Sequence, residues 1–376
     1  MKLAFLIQKL HPAAGQTYTI SEIIKYLSSA HKDWQFDVLS PVIDYPITDA
    51  MKAENVRVNK IDQLYSSVIF SGRFAKRLRE YDLIYVKGSL PYVFPASRSG
   101  RPNILVVHQP DSPKLFRSFD MKFRVIAANI LIGFVLKRPD AVVTVTKELA
   151  DFYFHKYGIK LKVIEDQFSN SFFEMEARVY PVRDGEVKLL SVGYWDGYNG
   201  RKRQDILLKY FSTAVDHISN LRLTLVGLSE ESLKELRNLS SNYGISERIT
   251  LKGHLSEPEL INEYASNDVY ATATTYEGFY RQIIEAFATG MPALVYDARK
   301  MGREQSQFAA VNHLLNSKGG ELYDSPASFV NSLEKILRNY QEFSDKARLY
   351  AQRYRSDVIG KKTEILISEL IQRNLG

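Results

Sequence analysis

Short apolar runs alternate with amphipathic stretches along most of the chain. Lys2–Gln8 reads as a buried strand, and the segment after it places Ile20, Ile23, Ile24 and Leu27 at helical spacing behind a glycine-bearing loop. Strand, loop and helix in that order form the first half of a Rossmann-like unit, although the G-x-G-x-x-G fingerprint is absent. Trp34–Ser40, Asn55–Lys60, Tyr81–Lys87 and Asn103–His108 read as further strands, and Ser66–Leu78 as a helix. Thr146 is placed to cap a helix running to about Tyr157, where Gly158 ends it. A polar stretch, Glu174–Glu186, then separates this series from a second one that opens with the strand Val187–Gly193.

The second series repeats the architecture of the first. Strands are expected at Leu221–Gly227, Ile249–Gly253, Asp268–Ala273 and Ala293–Tyr296, with helices at Gln204–Phe211, Ser232–Tyr243 and Glu257–Ala265 between them. Past Asp297 the pattern weakens as far as Gly320. Helices return at Ser325–Tyr340, Ser344–Tyr354 and Asp357–Arg373. Alternating strands and helices predict an α/β protein with parallel sheets.

Thr274–Asp297 is the stretch with the most chemistry. Tyr276, Glu277, Gly278 and Phe279 read as a loop, Gln282–Thr289 as a helix through Ile283, Ile284, Phe287 and Ala288, and Gly290 with Pro292 stops it. The first N–H groups of such a helix are unpaired and its dipole is positive at that end, which suits a phosphate. Glu277 and Glu285 flank that point. If the segment between them is mostly helical, the rise separates them by roughly 12 Å. A glycosidase pair stands roughly 5 to 9.5 Å apart, so the span is too long for one. It suits an elongated ligand with hydroxyls at both ends and phosphates between, such as a nucleotide sugar; an ordinary surface pair of glutamates is the alternative reading.

Arg201, Lys202 and Arg203 stand at the start of the 204–211 helix, where cations oppose the dipole unless an anion is present. A diphosphate would resolve the conflict, and plain surface charge is the competing reading. Lys114–Lys137 sets Lys114, Arg117, Lys122 and Arg124 among Phe116, Phe119 and Phe123 before an apolar run too short to span a bilayer. Its second half reads as a core helix. Its basic aromatic front, 114–124, is a candidate contact with an anionic membrane surface.

Composition narrows the field. At 376 residues, 45% hydrophobic and 25% charged, the chain fits two globular domains. The absence of cysteine removes disulfides, zinc-thiolate sites and thiol nucleophiles. A net charge of +7 favours acidic ligands or anionic surfaces without choosing among them. The N-terminus lacks a signal-peptide pattern, so a cytoplasmic protein, peripheral on the cytoplasmic membrane face if 114–124 touches lipid, is expected. No arginine-rich tract or nucleic-acid module is present, and no nucleic-acid partner is expected.

The run EGFYRQIIEAFATGMPALVYDA resembles the Glu-x7-Glu motif of the family-4 retaining glycosyltransferases. The resemblance implies the GT-B fold: two Rossmann-like domains facing an interdomain cleft, with a closing helix that crosses back to the first. The implied layout is an acceptor domain at 1–170 joined by the crossover helix 357–376, a linker at 171–186 and a nucleotide-sugar donor domain at 187–354. It further implies transfer of a hexose-type sugar from a nucleotide-diphosphate donor to a glycan, lipid-linked or polysaccharide acceptor. Glu277 would hold hydroxyls of the donor sugar, Glu285 the ribose diol, and Leu251 and Lys252 would give backbone contacts near the base. Gly278, Phe279, Tyr280 and Arg281 would line the donor, Lys202 and Arg201 would neutralise the diphosphate, His108 would stand beside the anomeric centre, and Gly15 would let backbone approach a ligand on the acceptor side. No cofactor or metal is expected, since Asp-x-Asp does not occur.

Three departures from the family pattern bear on this. Tyr194 occupies the place of the usual Arg, leaving Arg201, Arg203 or Arg281 to substitute. Tyr280, Arg281 and Gln282 replace the commoner Gly, Leu and Pro. Asp166, Gln167, Phe168 and Ser169 replace the usual Asn-Gly-Val-Asp. A GT-B-shaped binding or scaffold protein with weak turnover is the alternative these departures permit.

Overall fold

The computed structural model describes the chain apart from residues 12–14, 45–52, 67–70, 109–118, 177–184, 196, 199, 302–307 and 376. It falls into two compact units, Met1–Ser169 with Tyr354–Gly376, and Asn170–Arg353.

The first unit contains β1 (Lys2–Ile7), α1 (Gly15–Ala30), β2 (Gln35–Ser40), β3 (Val56–Lys60), α2 (Ser71–Leu78), β4 (Leu83–Lys87), α3 (Val93–Arg98), β5 (Asn103–Val107), α4 (Phe119–Val135), β6 (Ala141–Thr144), α5 (Lys147–Tyr157) and β7 (Lys162–Val163). Among the described residues its seven strands are all parallel, in the order β3-β2-β1-β4-β5-β6-β7. β1, β4 and β5 are buried along their whole length or nearly so, which is why they read as unbroken apolar runs. The Thr146 hydroxyl accepts from the Leu149 N–H at 3.2 Å and Gly158 ends α5 in the left-handed region, as the sequence pattern predicts. Of the helix expected from Ser66, Ser71–Leu78 is described as α2; Gln63–Ser66 forms a 3-10 turn, and 67–70 lie outside the described residues.

The second unit contains β8 (Val187–Val192), α6 (Gln204–His217), β9 (Leu221–Val226), α7 (Glu230–Asn242), β10 (Ile249–Lys252), α8 (Glu257–Ser266), β11 (Val269–Thr272), α9 (Arg281–Ala288), β12 (Ala293–Tyr296), α10 (Ala309–Ser317), β13 (Gly320–Tyr323), α11 (Pro326–Arg338) and α12 (Tyr340–Ala351). Among the described residues six parallel strands run β10-β9-β8-β11-β12-β13. Counted from β8 this is 3-2-1-4-5-6, the doubly wound order, and its switch point lies between β8 and β11. The weakly patterned stretch before Gly320 holds α10, whose Ala309, Ala310, Val311 and Leu314 are buried, followed by the edge strand β13.

The chain then returns to the first unit as α13 (Ser356–Leu375). Leu366, Ile367 and Leu370 enter the core with α1 and β1, and the Tyr26 hydroxyl donates to Glu364 at 3.2 Å. Gly360 is required here, because a Cβ would stand 2.3 Å from the Tyr26 ring. Among the described residues no helix is long and apolar enough to cross a membrane.

Candidate active site

Open α/β sheets bind ligands beyond the carboxyl ends of the strands at the switch point. In the second unit those ends are β8, which leads through Gly193 to Lys202, and β11, which leads to Glu277. The two loops are joined by backbone: the Thr275 N–H donates to the Arg201 carbonyl at 2.8 Å, and the Thr274 and Thr275 hydroxyls reach the same oxygen. Lys202 Nζ lies 2.8 Å from Glu277 Oε1, and Arg201 lies 4.0 Å from the other carboxylate oxygen. Gly193 makes room for this lysine, since a Cβ there would stand 3.3 Å from its Cε.

Lys202 is 7% exposed. Burial pulls its ammonium down, but the charge of Glu277, Tyr280 and the hydrogen bond to Glu277 outweigh that and leave it above the ordinary lysine range. Its Nζ also lies 4.5 Å from the centre of the Tyr280 ring. Tyr280 is fully buried, its hydroxyl sharing hydrogen bonds with the Tyr270 hydroxyl at 2.7 Å and Thr272 Oγ1 at 2.8 Å. The residue that stands where a glycine is commoner therefore forms a floor beneath the lysine. Tyr194 accepts a hydrogen bond from Arg201, whose guanidinium lies 5.6 Å from the Tyr194 ring centre.

The remaining cations have carboxylate partners of their own. Arg203, in the left-handed region at the start of α6, makes a two-pronged contact with Asp205 at 2.9 and 2.8 Å. Arg281 lies 3.6 Å from Glu285. The charge conflict read at the start of α6 is thus met locally by Glu277 and Asp205, so an anion is not required to hold that helix start.

Glu277 and Glu285 differ in setting. Glu277 forms an isolated bridge with Phe308, its carbonyl accepting from the Ala309 N–H at 3.1 Å. Helix therefore begins only at Arg281, and the rise-based spacing expected between the two acids does not hold for residues 277–280. Glu285, 7% exposed, accepts from the Tyr264 hydroxyl at 2.9 Å. Burial pushes its carboxyl above the usual range, while Arg281, the Tyr264 hydrogen bond and Lys202 pull the other way. Lys202 thus acts electrostatically on both acids. Neither α6 nor α9 has a side chain capping its first turn. Phe279 sits edge-on to His313 at 5.3 Å, and Leu251 lies on the edge strand β10 with its side chain against the core.

In the first unit, His108 follows β5 and its carbonyl accepts from the Tyr153 hydroxyl at 2.7 Å. Its Nε2 is shut off from solvent with no hydrogen-bond partner among the described residues. Burial lowers the imidazole to about 4, Lys87 adding to the drop and Asp166 opposing it, so the ring is neutral at pH 7. Lys87 and Asp166 form a buried ion pair at 2.8 Å at the carboxyl end of β4, next to the switch point of that sheet. The sequence reading passed over this pair: Lys87 was only the last residue of a strand, and Asp166 only a departure from a motif. Gly15 opens α1, and the loop before it lies outside the described residues, as do 114–118 of the basic aromatic segment.

Residues 174–354 match the family model "Glycosyl transferases group 1" and residues 13–165 match "Glycosyltransferase Family 4". The chain is 22% identical over 209 residues to mannosylfructose-phosphate synthase of Agrobacterium fabrum, covering 50% of this chain and 44% of that protein. It is 27% identical over 207 residues to the GtfA subunit of the UDP-N-acetylglucosamine–peptide N-acetylglucosaminyltransferase of Streptococcus pneumoniae, covering 51% and 39%. The chain thus spans less than half the length of these curated relatives. Over its whole length it is similar in fold to Anabaena HepE, solved with UDP and glucose, with a TM-score of 0.73, 17% identity and coverage of 98% and 100%. Glycosyltransferase family models thus match stretches in both halves of the chain, and its two Rossmann-like units have the GT-B fold.

Proposed function

We propose that this chain moves a hexose-type sugar from a nucleotide-diphosphate sugar to a glycan, lipid-linked or polysaccharide acceptor, retaining the anomeric configuration and using no bridging metal. One observation carries the reading: a largely buried Lys202–Glu277 pair at the β8/β11 switch point, beside two helix starts without side-chain caps.

The chemistry breaks the bond between the anomeric carbon and the diphosphate oxygen and forms one from the acceptor oxygen on the same face, the acceptor's proton passing to the departing diphosphate oxygen. Negative charge grows on the leaving diphosphate. Lys202, Arg201 and the first N–H groups of α9 meet that charge from fixed positions, which costs no reorganisation during reaction. Glu277 accepts from donor sugar hydroxyls and, with its partner Lys202, orients sugar against phosphate. Glu285 accepts from the ribose diol once Tyr264 shares it, Gly278 and Phe279 border the donor, and Leu251 offers backbone at the base. His108, in the first unit, keeps a neutral ring whose Nε2 has no partner among the described residues.

A thermal-shift panel of UDP-, GDP- and ADP-sugars tests this directly, because a ligand that binds the folded state alone raises its melting temperature. UDP-sugars head the panel, given the ligands held by the HepE structure. At least one donor should shift the transition and be hydrolysed slowly, with turnover that survives EDTA and vanishes in Glu277→Ala. No shift with any donor sinks the transferase reading. A shift without turnover leaves a binding protein in its place.

A further inference from the structure

The helix α4 is apolar on both sides, but among the described residues only one side is covered. Ile132, Val135 and Leu136 face inward and join the core of the first unit. On the same inner side, Tyr157 of α5 donates to the Asn129 carbonyl at 3.2 Å, and Gly133 allows that ring to approach, since a Cβ would stand 3.0 Å from it. Phe123, Ile126, Ile130, Leu131 and Phe134 are exposed by 64, 46, 74, 57 and 59%. Four of them fall at 123, 126, 130 and 134, a spacing that places them along one stripe of a helix. Soluble monomers seldom leave so continuous a run of large apolar side chains in water. The sequence pattern predicts a core helix for this half of the segment; the structure seats one face in the core and leaves the opposite face bare.

The charge around the stripe selects the occupant. Lys122 precedes it in the sequence, Arg124 falls within it, Lys137 and Arg138 follow it, and Asp120 is the one acid in 119–138. Arg138 stacks on Phe134 at 4.6 Å and on Phe94 at 5.1 Å, so a cation closes the apolar face at its end. A protein partner for a bare helix face needs apolar complementarity; four cations against one acid between residues 119 and 138 add a demand for negative charge. An anionic lipid surface meets both demands. A helix lying in the interface buries its apolar face at the acyl boundary, and basic side chains at its ends reach the headgroups.

We propose that α4 docks this chain onto an anionic bilayer, lying in the plane of the interface with Phe123, Ile126, Ile130 and Phe134 inserted and Lys137 and Arg138 at the headgroups. The assignment shifts the lipid contact from 114–124 to the outward stripe of the helix that follows. It stands apart from the transferase reading, because binding is measured with no donor present.

The test is co-sedimentation of the full chain with phosphatidylcholine vesicles containing roughly 30% phosphatidylglycerol. The wild type should pellet with these vesicles, pellet weakly with pure phosphatidylcholine, and release progressively with salt. Phe123→Ser with Ile130→Ser and Phe134→Ser should cut partitioning by at least about tenfold. The three side chains are exposed, so the circular dichroism and melting temperature of the variant should match the wild type. In a second measurement, Phe134→Trp should shift its emission to the blue on vesicles, against Trp34 and Trp195, which are both buried. Failure to pellet, pelleting undiminished in the triple variant, or equal binding to neutral vesicles would each overturn the proposal. So would a self-associating wild type that becomes monomeric in the triple variant without any lipid binding, since the stripe would then be an interface between copies.

Discussion

Lys202 and Glu277 meet at 2.8 Å although they leave the sheet from different strands, and the lysine's charge also reaches Glu285. One buried ammonium thus holds together the acids that the donor reading depends on. Replacing Lys202 with Met leaves Glu277 largely buried with, among the described residues, only Arg201, at 4.0 Å, to compensate it. Breaking a buried pair from one side costs about 3 kcal/mol or more. Lys202→Met should therefore lower stability, and Lys202→Met with Glu277→Gln should recover most of it. Turnover should behave differently: both variants should lose about a hundredfold or more in kcat, because the charge that meets the leaving diphosphate is gone in each. Recovery of turnover in the double variant would make the pair purely structural.

Tyr280 separates two contributions. Tyr280→Phe keeps the ring under Lys202 but removes the hydroxyl shared by Tyr270 and Thr272, a buried loss of about 1 to 2 kcal/mol in stability. Its kcat should stay within about threefold of wild type. Tyr280→Leu also removes the cation–π contact at 4.5 Å, worth roughly 0.5 to 2 kcal/mol, and kcat should drop by up to about tenfold with KM for the donor less affected. Equal kcat in the two variants would show that the ring does not position the lysine.

These networks explain what was legible in the sequence and what was not. The cap Thr146, the stop Gly158 and the strand series β8 to β12 are local signals, carried by neighbouring residues, and they read correctly to within a few positions. Glu277 and Glu285 stood out because one short segment contains both. The Tyr264 hydroxyl that binds Glu285 lies 21 residues away, and Asp166 lies 79 residues from Lys87. No periodicity links such partners; only the sheet order brings them together. The bare stripe on α4 escaped for the opposite reason: an all-apolar helix looks buried, and its sequence does not say which face the fold leaves uncovered.

The Lys87–Asp166 pair should be visible through His108. Lys87 lowers that imidazole and Asp166 raises it. Lys87→Met should move the His108 titration up from about 4, and Asp166→Asn should move it further down, each followed by NMR of the imidazole. Both substitutions break a buried pair and should lower stability by about 3 to 5 kcal/mol. Shifts of the same sign in the two variants would show that burial alone sets the titration of His108.

His313 makes acid stability a test of the second unit. The ring is 4% exposed, its Nδ1 lies 3.0 Å from the Tyr350 hydroxyl, and Phe279 leans on it edge-on. Burial, aided by Arg353, lowers it from 6.5 to about 3. Below about pH 6.5 the unfolded chain therefore binds a proton that the folded chain refuses, and the balance tips toward unfolding until the pH reaches about 3. The stabilising neutral state is fully present above pH 6.5, and its loss on acidification has a slope of up to about 1.4 kcal/mol per pH unit from this one group. His313→Gln retains a hydrogen-bonding partner for Tyr350 and abolishes the titration. Urea unfolding followed through Trp195, at pH 7, 5.5 and 4, should show a flatter decline in the variant than in the wild type. Parallel declines would place the acid sensitivity elsewhere, and a steeper one in the variant would contradict the sign of the shift.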